Sequence, residues 1–305
     1  MTSSNTSLFQ RPVWVTLFAL SSAIAWGCAY PLIKLGFSEY GITQSMTGSK
    51  MLFAGIRFCI SGLIVLAIAA STKRKFHTSR PSDWGYILLF ALLNTTLHYT
   101  FFYIGMSYSD GARAAILNSL GSFLLVMLAC IFFKSDRLTV HKILGCCIGI
   151  TGIVILNFGT SESGRFTFMS DGMIILNTLC SAFAGLMTRG VSKRIDIFVG
   201  TGYSLAIGGV LLIIPGMMMG GTLPMITPYG IIILALLICI STLGFTLYNK
   251  LLSCNPVGKV AIFNSLIPVV GTITSCIWLH EPFYHKYIIS AWLTMTGIYI
   301  INKNK

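Results

Sequence analysis

Apolar residues run along this chain in segments of about 20, and short polar stretches separate them. A helix needs about 20 mostly apolar residues to cross the hydrocarbon core of a bilayer. The pattern therefore predicts an all-α integral membrane protein with ten transmembrane helices, short connections and no sizeable soluble domain. The predicted segments are 13–35, 51–70, 84–106, 112–133, 142–158, 171–192, 199–220, 229–252, 259–279 and 286–301.

One stretch of the chain occurs twice. Residues 96–134 and 242–280 each read as an apolar helix, a short polar turn with one cation, and a second apolar helix. Asn118 in the first copy corresponds to Asn264 in the second, 146 residues later, and the same offset holds across both helices. A fixed offset over this length indicates an internal duplication.

The duplication predicts two five-helix repeats of opposite orientation. We expect the first repeat in residues 1–158 and the second in residues 170–305. Because five is an odd number, the second repeat enters the membrane from the other side, so Arg113 lies outside and its counterpart Lys259 lies inside. Inverted repeats recur in secondary transporters, whose binding site lies near the membrane midplane between the repeats.

The distribution of cations predicts the orientation. If the N-terminus is inside, most of the 21 Lys and Arg residues fall in cytoplasmic segments, which predicts cytoplasmic N- and C-termini in the cell membrane. The formal charge of +13 then reflects these segments and does not indicate nucleic-acid binding. The first apolar segment is expected to be a retained helix and not a removed signal peptide.

The polar residues argue against several kinds of chemistry. All eight acidic residues lie in predicted loops or at helix ends, so no buried carboxylate is available for ion coupling or for a catalytic pair. The sequence contains no nucleophile motif and no glycine-rich phosphate loop. Its nine cysteines show no metal-binding spacing. We expect no enzyme activity, no cofactor and no metal site.

The third predicted helix carries the first candidate binding residues. Asn94, His98 and Phe102 recur at helical spacing, which places a polar and aromatic strip on one face. An imidazole at this depth could bind a substrate group or carry a proton, so His98 is the proton-coupling candidate. The alternative is a neutral histidine that is bonded to Asn94 or to a backbone carbonyl.

Other candidates lie in both repeats. Asn118 and Asn264 either line a substrate path or bridge helices 4 and 9 through interhelical hydrogen bonds. Arg57 could extend to the membrane surface or meet an anionic group in a cavity. Pro31 and Pro268 are predicted to break helices 1 and 9. The predicted substrate-binding residues are Trp26, Asn94, His98, Phe102, Asn118, Tyr248 and Asn264.

Small residues mark the fifth and tenth predicted helices. Helix 5 contains Gly145 and Gly149 four residues apart, and helix 10 carries Ser290, Thr294 and Gly297. Small residues at this spacing let helix backbones approach closely. The two helices are expected to pack within one chain or between two chains, in which case they would form a homo-oligomer.

Five segments of the chain follow one another in a characteristic order, namely WGCAYPLIKLG, AGIRFCISGLI, FFYIGMSYSDGARAAIL, FKSDRLTVHKILGCCIGITGIVIL and WLHEPFYHKYIISAWLTMTGIYIIN. Together they resemble the EamA family of the drug/metabolite transporter superfamily. The first repeat departs from the second in having Asp136 where the second has Glu281, and Ser122 where the second has Pro268. The resemblance implies ten helices in two inverted halves and an exporter of amino acids or other small metabolites.

These observations together predict a multi-pass inner-membrane transporter that works by alternating access. Its expected partners are a small organic molecule and the lipid bilayer, with an amino acid or an amphipathic drug-like compound as the substrate. The alternative is a non-transporting membrane sensor or scaffold. The missing soluble domain argues against a sensor, and the inverted repeat argues for transport.

Overall fold

A computed structural model of the chain describes residues 8–78, 80–132, 138–155, 166–256 and 260–302. These residues form helices and connecting loops, with no strand among them. Lys259, Asp136 and the predicted end of the fifth helix at 156–158 lie outside the described residues. The helices are α1 Pro12–Glu39, α2 Thr47–Ser71, α3 Asp83–Ser107, α4 Gly111–Phe132, α5 Val140–Ile155, α6 Phe168–Ser192, α7 Ile197–Met218, α8 Pro228–Cys254, α9 Leu266–Trp278 and α10 His285–Asn302.

The lengths and compositions of the helices identify a membrane protein. Within the described ranges, seven helices are long and apolar enough to cross a bilayer, namely α1 to α4 and α6 to α8. Helices α5 and α9 are apolar but shorter, with 16 and 13 described residues. Helix α10 has 18 residues. The prediction of an all-helical membrane protein is therefore confirmed.

Of the two prolines predicted to break helices, Pro31 does not do so. Helix α1 continues through Pro31, which is buried. Pro268 lies in the first turn of α9, where a proline costs little, and it follows a 3₁₀ turn at Ile262–Ser265. Helix α4 is interrupted at the corresponding place, Ser119, although it has no proline there. Both halves therefore have an interruption at this place, one with a proline beside it and one without.

The helices pack in a pattern that is unchanged when the two halves are exchanged. Helix α1 packs on α8 and α9, and its counterpart α6 packs on α3 and α4. Three further pairs join each helix to its own counterpart, namely α2 with α7, α4 with α9 and α5 with α10. This packing has the symmetry that the predicted duplication would produce, and the duplication itself stays a prediction.

Glycines bring the backbones of α2 and α7 into contact. The glycines of α2 face those of α7 in antiparallel order, so that a Cβ at Gly48 would lie 2.8 Å from the carbonyl oxygen of Gly216. At the other end of the pair, a Cβ at Gly62 would overlap the backbone nitrogen of Ala206. We call this contact the glycine seam. It consists of Gly48, Gly55 and Gly62 on α2 and Gly202, Gly209 and Gly216 on α7.

A second close contact joins α5 and α10. A Cβ at Gly297 would lie 2.5 Å from the carbonyl oxygen of Gly145, and one at Gly152 would lie 2.8 Å from that of Ser290. The small residues that the sequence singled out therefore face each other inside one chain. These distances also show that α5 and α10 run antiparallel.

The seam can be tested with a single methyl group. Gly62→Ala should force α2 and α7 apart, because the new methyl would occupy the place of the Ala206 nitrogen. Overpacking of this kind costs about 1–3 kcal/mol. We expect a lower melting temperature in detergent.

The matched control is Gly85→Ala. A Cβ at Gly85, in α3, meets nothing within 4 Å, so this variant makes the same chemical change without a clash. It should melt at the wild-type temperature or slightly above, because alanine favours a helix over glycine. If both variants melted together, the seam would not be a tight contact.

Candidate functional site

A cavity lies between the two halves, lined by α1, α3, α4, α6 and α8, by the start of α9 and the turn before it, and by Arg57 of α2. With its mouth included, it encloses about 1020 Å³ of empty space. The structure brings all seven sequence-predicted site residues to its wall: Trp26, Asn94, His98, Phe102, Asn118, Tyr248 and Asn264. Their role in substrate binding stays a prediction, but their common location is a property of the fold.

Aromatic rings that contact one another form much of this wall. Trp26 meets Phe245 and Tyr248 edge to face, with ring centroids 5.4 Å and 4.9 Å apart. Tyr30 meets Phe102 in the same way at 5.5 Å. Such contacts hold rings in fixed orientations and leave their free faces for a ligand. The wall therefore suits an aromatic or other flat apolar group.

A glycine on α8 sets the position of Trp26. A Cβ at Gly244 would lie 2.6 Å from the indole nitrogen, so the ring fits against the backbone of α8 only because residue 244 has no side chain. The same nitrogen is buried and has no hydrogen-bond partner among the described residues. The absence of a side chain on α8 thus decides where the largest ring of the wall can lie.

The two repeat-related asparagines both line the cavity and both join helices. The Oδ1 of Asn118 accepts a hydrogen bond from the Nδ2 of Asn177 on α6, at 2.5 Å. The Nδ2 of Asn264 donates to the Tyr248 hydroxyl on α8, at 2.8 Å. The two alternatives that the sequence left open are therefore not exclusive. Each asparagine lies at or beside the interruption of its helix.

His98 is not held by the hydrogen bonds proposed as the alternative to a functional role. Its ring stacks on that of Tyr99, with centroids 4.3 Å apart. Asn94 lies in a π-helical turn of α3 and donates instead to the hydroxyl of Ser204 on α7, at 2.9 Å. The Nδ1 of His98 is buried with no hydrogen-bond partner in the described part of the chain. A proton-coupling role for His98 remains a prediction.

Arg57 places a positive charge at the cavity wall. Its side chain is only 1% exposed, so it does not extend to the membrane surface. The Nε donates to the Leu237 carbonyl at 3.1 Å and to the Ser241 hydroxyl at 2.7 Å, both on α8. The Nη1 donates to the Tyr103 hydroxyl at 3.0 Å. Of the two uses the sequence allowed, the structure therefore supports the one inside the cavity.

The sequence reasoning missed several other residues of the wall. Tyr30 follows Trp26 by one helical turn, so the spacing could have identified it. Tyr99 was less accessible to prediction, because the π-helical turn before it changes the faces of α3. Ser122 and Ser181 also line the cavity, on α4 and α6. Single hydroxyl groups in apolar helices are common and give no comparable signal.

Two ion pairs join helices and loops at the end of the molecule at which α1 finishes and α4 begins, which we call the ion-paired end. Lys34 pairs with Glu281 at 3.1 Å, and the same carboxylate accepts the backbone N–H groups of Gly111 and Ala112 at 2.8 and 3.1 Å. Beside them, Arg113 pairs with Asp171 at 2.8 Å. Hydrogen bonds between charged groups are stronger than those between neutral groups.

The cavity extends toward the opposite end of the bundle. Its wall there is formed by Leu125, Gly185 and Leu252, which belong to the later parts of α4, α6 and α8. Ion pairs lie at that end as well, Arg74 with Asp196 and Arg194 with Asp83, both at 3.2 Å. The two ends therefore differ in that the cavity reaches toward the second end and in that its ion pairs are more exposed.

Comparison with known proteins assigns the chain to a family. Residues 13–158 and 168–303 each match the EamA-like transporter family. The uncharacterized transporter YvbV of Bacillus subtilis (strain 168) is 24% identical over 283 residues, which cover 92% of this chain and 88% of that protein. A probable amino-acid metabolite efflux pump of Salmonella typhimurium is 24% identical over 301 residues, which cover 92% of each chain.

A solved crystal structure has the same fold. It superimposes with a TM-score of 0.70 at 15% sequence identity and covers 94% of this chain and 95% of its own. The family matches together span nearly the whole chain and confirm the resemblance that its motifs indicated. The chain is a multi-pass membrane protein and belongs to the EamA-like transporter family.

Proposed function

We propose that this protein exports a small amphipathic organic metabolite, such as an amino acid or a drug-like compound, by alternating access. It would do so with ten transmembrane helices in two inverted repeats, residues 1–158 and 170–305. The observation that carries the proposal is the cavity between the two halves, whose wall includes Asn118 and its counterpart Asn264.

The direction of the paired helices supports an inverted relationship. Helices α2 and α7 run antiparallel along the glycine seam, and α5 and α10 run antiparallel as well. For α4 and α9, Cβ atoms at Gly111 and Gly271 would lie 2.5 Å from Ser275 and 2.6 Å from Ala115, which again is antiparallel. Counterparts related by an axis along the membrane normal would run parallel, so these pairs favour an axis in the membrane plane.

The ends of the molecule suggest which state is present. The distribution of cations favours cytoplasmic termini, which puts the ion-paired end outside the cell. The cavity would then face the cytoplasm and be ready to load an exported compound. In an inverted repeat, exchanging the conformations of the two halves closes one end and opens the other.

The substrate class follows from the wall of the cavity and from one relative. Aromatic rings with a few amide and hydroxyl groups offer both stacking and hydrogen bonds, which suits an amphipathic compound. The Salmonella relative is named as a probable amino-acid metabolite efflux pump, which is consistent with export. No observation favours the alternative of a sensor or scaffold. A homo-oligomer through α5 and α10 would have to use the outer faces of those helices.

Export can be tested in cells. A strain that overproduces the protein should survive higher concentrations of at least one toxic amino-acid analogue or amphipathic dye than a strain with an empty vector. Inverted membrane vesicles should then accumulate that compound. The proposal would be contradicted if the overproducing strain, with the protein present in its membrane, were as sensitive to every compound as the strain with the empty vector.

The orientation predicts where reporter proteins become active. A reporter fused after the C-terminus and another placed in the loop at 72–82 should both report the cytoplasm. The two reporters must agree, since an even number of predicted helices separates the loop at 72–82 from the C-terminus. A C-terminal reporter that is active outside the cytoplasm would remove the proposed inverted topology.

The path role of Asn118 predicts a difference between two variants that break the same hydrogen bond. Asn118→Ala and Asn177→Ala each remove the bond between α4 and α6, and each should cost about 1 kcal/mol. Only Asn118 lines the cavity. We expect both variants to melt earlier, and Asn118→Ala alone to lower transport per folded molecule. Equal transport by the two variants would reduce Asn118 to a bridge between helices.

A further inference from the structure

Arg57, like Lys50 on the same helix, is a buried cation whose hydrogen-bond partners are all neutral, and of these two only Arg57 lines the cavity. Arg113 is also buried, but it donates to both carboxylate oxygens of Asp171, at 2.8 and 3.0 Å. The acceptors of Arg57 are a carbonyl and two hydroxyl groups. A buried charge without a counter-ion is costly, and in a membrane protein such a group marks a functional position.

One nitrogen of the guanidinium group is left for a ligand. Nε and Nη1 have acceptors on α8 and α3, while Nη2 has none among the described residues. The N–H groups of Nη2 can donate charge-assisted hydrogen bonds to a carboxylate, a group that the planar guanidinium binds well. Because Arg57 lines the cavity, a bound molecule can reach this group.

The guanidinium is also held in place before a ligand arrives. Its central carbon lies 4.8 Å from the centroid of the Phe58 ring and 6.0 Å from that of Tyr99. Two helices supply its hydrogen-bond acceptors, Leu237 and Ser241 from α8 and Tyr103 from α3. A donor that is already fixed loses little entropy when it binds its ligand.

The fold itself does not require a cation at this position. The glycine seam relates α2 to α7 residue by residue, with Gly48, Gly55 and Gly62 corresponding to Gly202, Gly209 and Gly216. In this register Arg57 corresponds to Leu211. The second half thus builds the same helix contact with an apolar side chain, so packing alone does not explain the arginine.

The rest of the described wall contains no carboxylate that would neutralise a second, positive charge on the ligand, and only its aromatic rings would attract that charge. The wall carries asparagines, serines, tyrosines, His98 and apolar side chains, and no described carboxylate. A negatively charged ligand would neutralise Arg57. A zwitterion would do the same, but its ammonium group would have neutral partners only. Ligands that share the same apolar body but differ in charge should therefore bind the cavity with different affinities.

We infer that the cavity selects organic anions and that Arg57 binds the carboxylate of the substrate. The aromatic or apolar body of the substrate then lies against the aromatic rings of the cavity wall. This inference rests on the proposed transport function and narrows its substrate class. It favours a deaminated aromatic acid over the corresponding amino acid.

Three small molecules with one aromatic body test the inference. 3-Phenylpropionate, phenylalanine and phenethylamine are an anion, a zwitterion and a cation at pH 7, and their binding to the purified wild-type protein can be measured by calorimetry in detergent. We expect the anion to bind at least about tenfold more tightly than the other two, the scale of a hydrogen bond to a charged group. Equal affinities, or no binding of any of the three, would overturn the inference.

Variants at position 57 locate the selectivity. Arg57→Gln should lose about tenfold or more in affinity for 3-phenylpropionate, while the affinity for phenethylamine stays the same or rises. Arg57→Lys keeps the charge without the planar guanidinium and should retain part of the preference. A preference for the anion that survives in Arg57→Gln would place the anion elsewhere and overturn the assignment.

A control and a second readout separate the possible failures. Lys50→Gln removes another buried cation of α2, which bonds Ser107 and does not line the cavity, so the preference for the anion should remain. If Arg57→Gln does not fold, the wild-type ligand series and Arg57→Lys still decide the question. Selective binding of the anion without any transport in vesicles would contradict the proposed function and leave the anion site standing.

Discussion

The contact between α2 and α7 is the constraint on which the rest of the structure depends. In a bilayer, apolar helices gain little from hiding apolar surface from water, so close packing must hold them together. The glycine seam supplies that packing by bringing two backbones together, and α5 and α10 repeat the arrangement. Each pair contains one helix from each half, so both pairs join the halves. The other six helices form most of the cavity wall, and α2 contributes Arg57 to it.

Two buried arginines show two ways of offsetting the free-energy cost of burying a positive charge. Arg113 has Asp171 as its counter-ion, so the pair ties α4 to α6 near the ion-paired end. Arg57 has neutral acceptors and lies at the cavity wall. The first arrangement is complete within the chain. The second is completed, in our proposal, by a ligand that comes and goes.

The sequence predicted the helices well because length and apolarity alone decide what can cross a bilayer. The repeat offset also singled out Asn118 and Asn264, which both lie in the cavity wall. They were recognisable because a polar amide that recurs at an equivalent depth is rare in apolar helices. The sequence could not assign Arg57, whose partners lie 46 to 184 positions away in the chain. It also missed the glycine seam, because glycines seven residues apart mean nothing until the facing helix is known. The prediction that Pro31 breaks its helix was wrong, because α1 continues through this proline.

Alternating access requires the ion-paired end to open, and a reversible cross-link tests that requirement most directly. Cysteines would replace Lys34 and Glu281, whose side chains meet at 3.1 Å, in a chain without its nine native cysteines. A short bifunctional thiol reagent, cleavable by a reductant, would then join them in membrane vesicles. The account predicts that transport stops on cross-linking and returns on reduction, while either single-cysteine variant keeps its transport throughout. Undiminished transport through the cross-linked protein would contradict it.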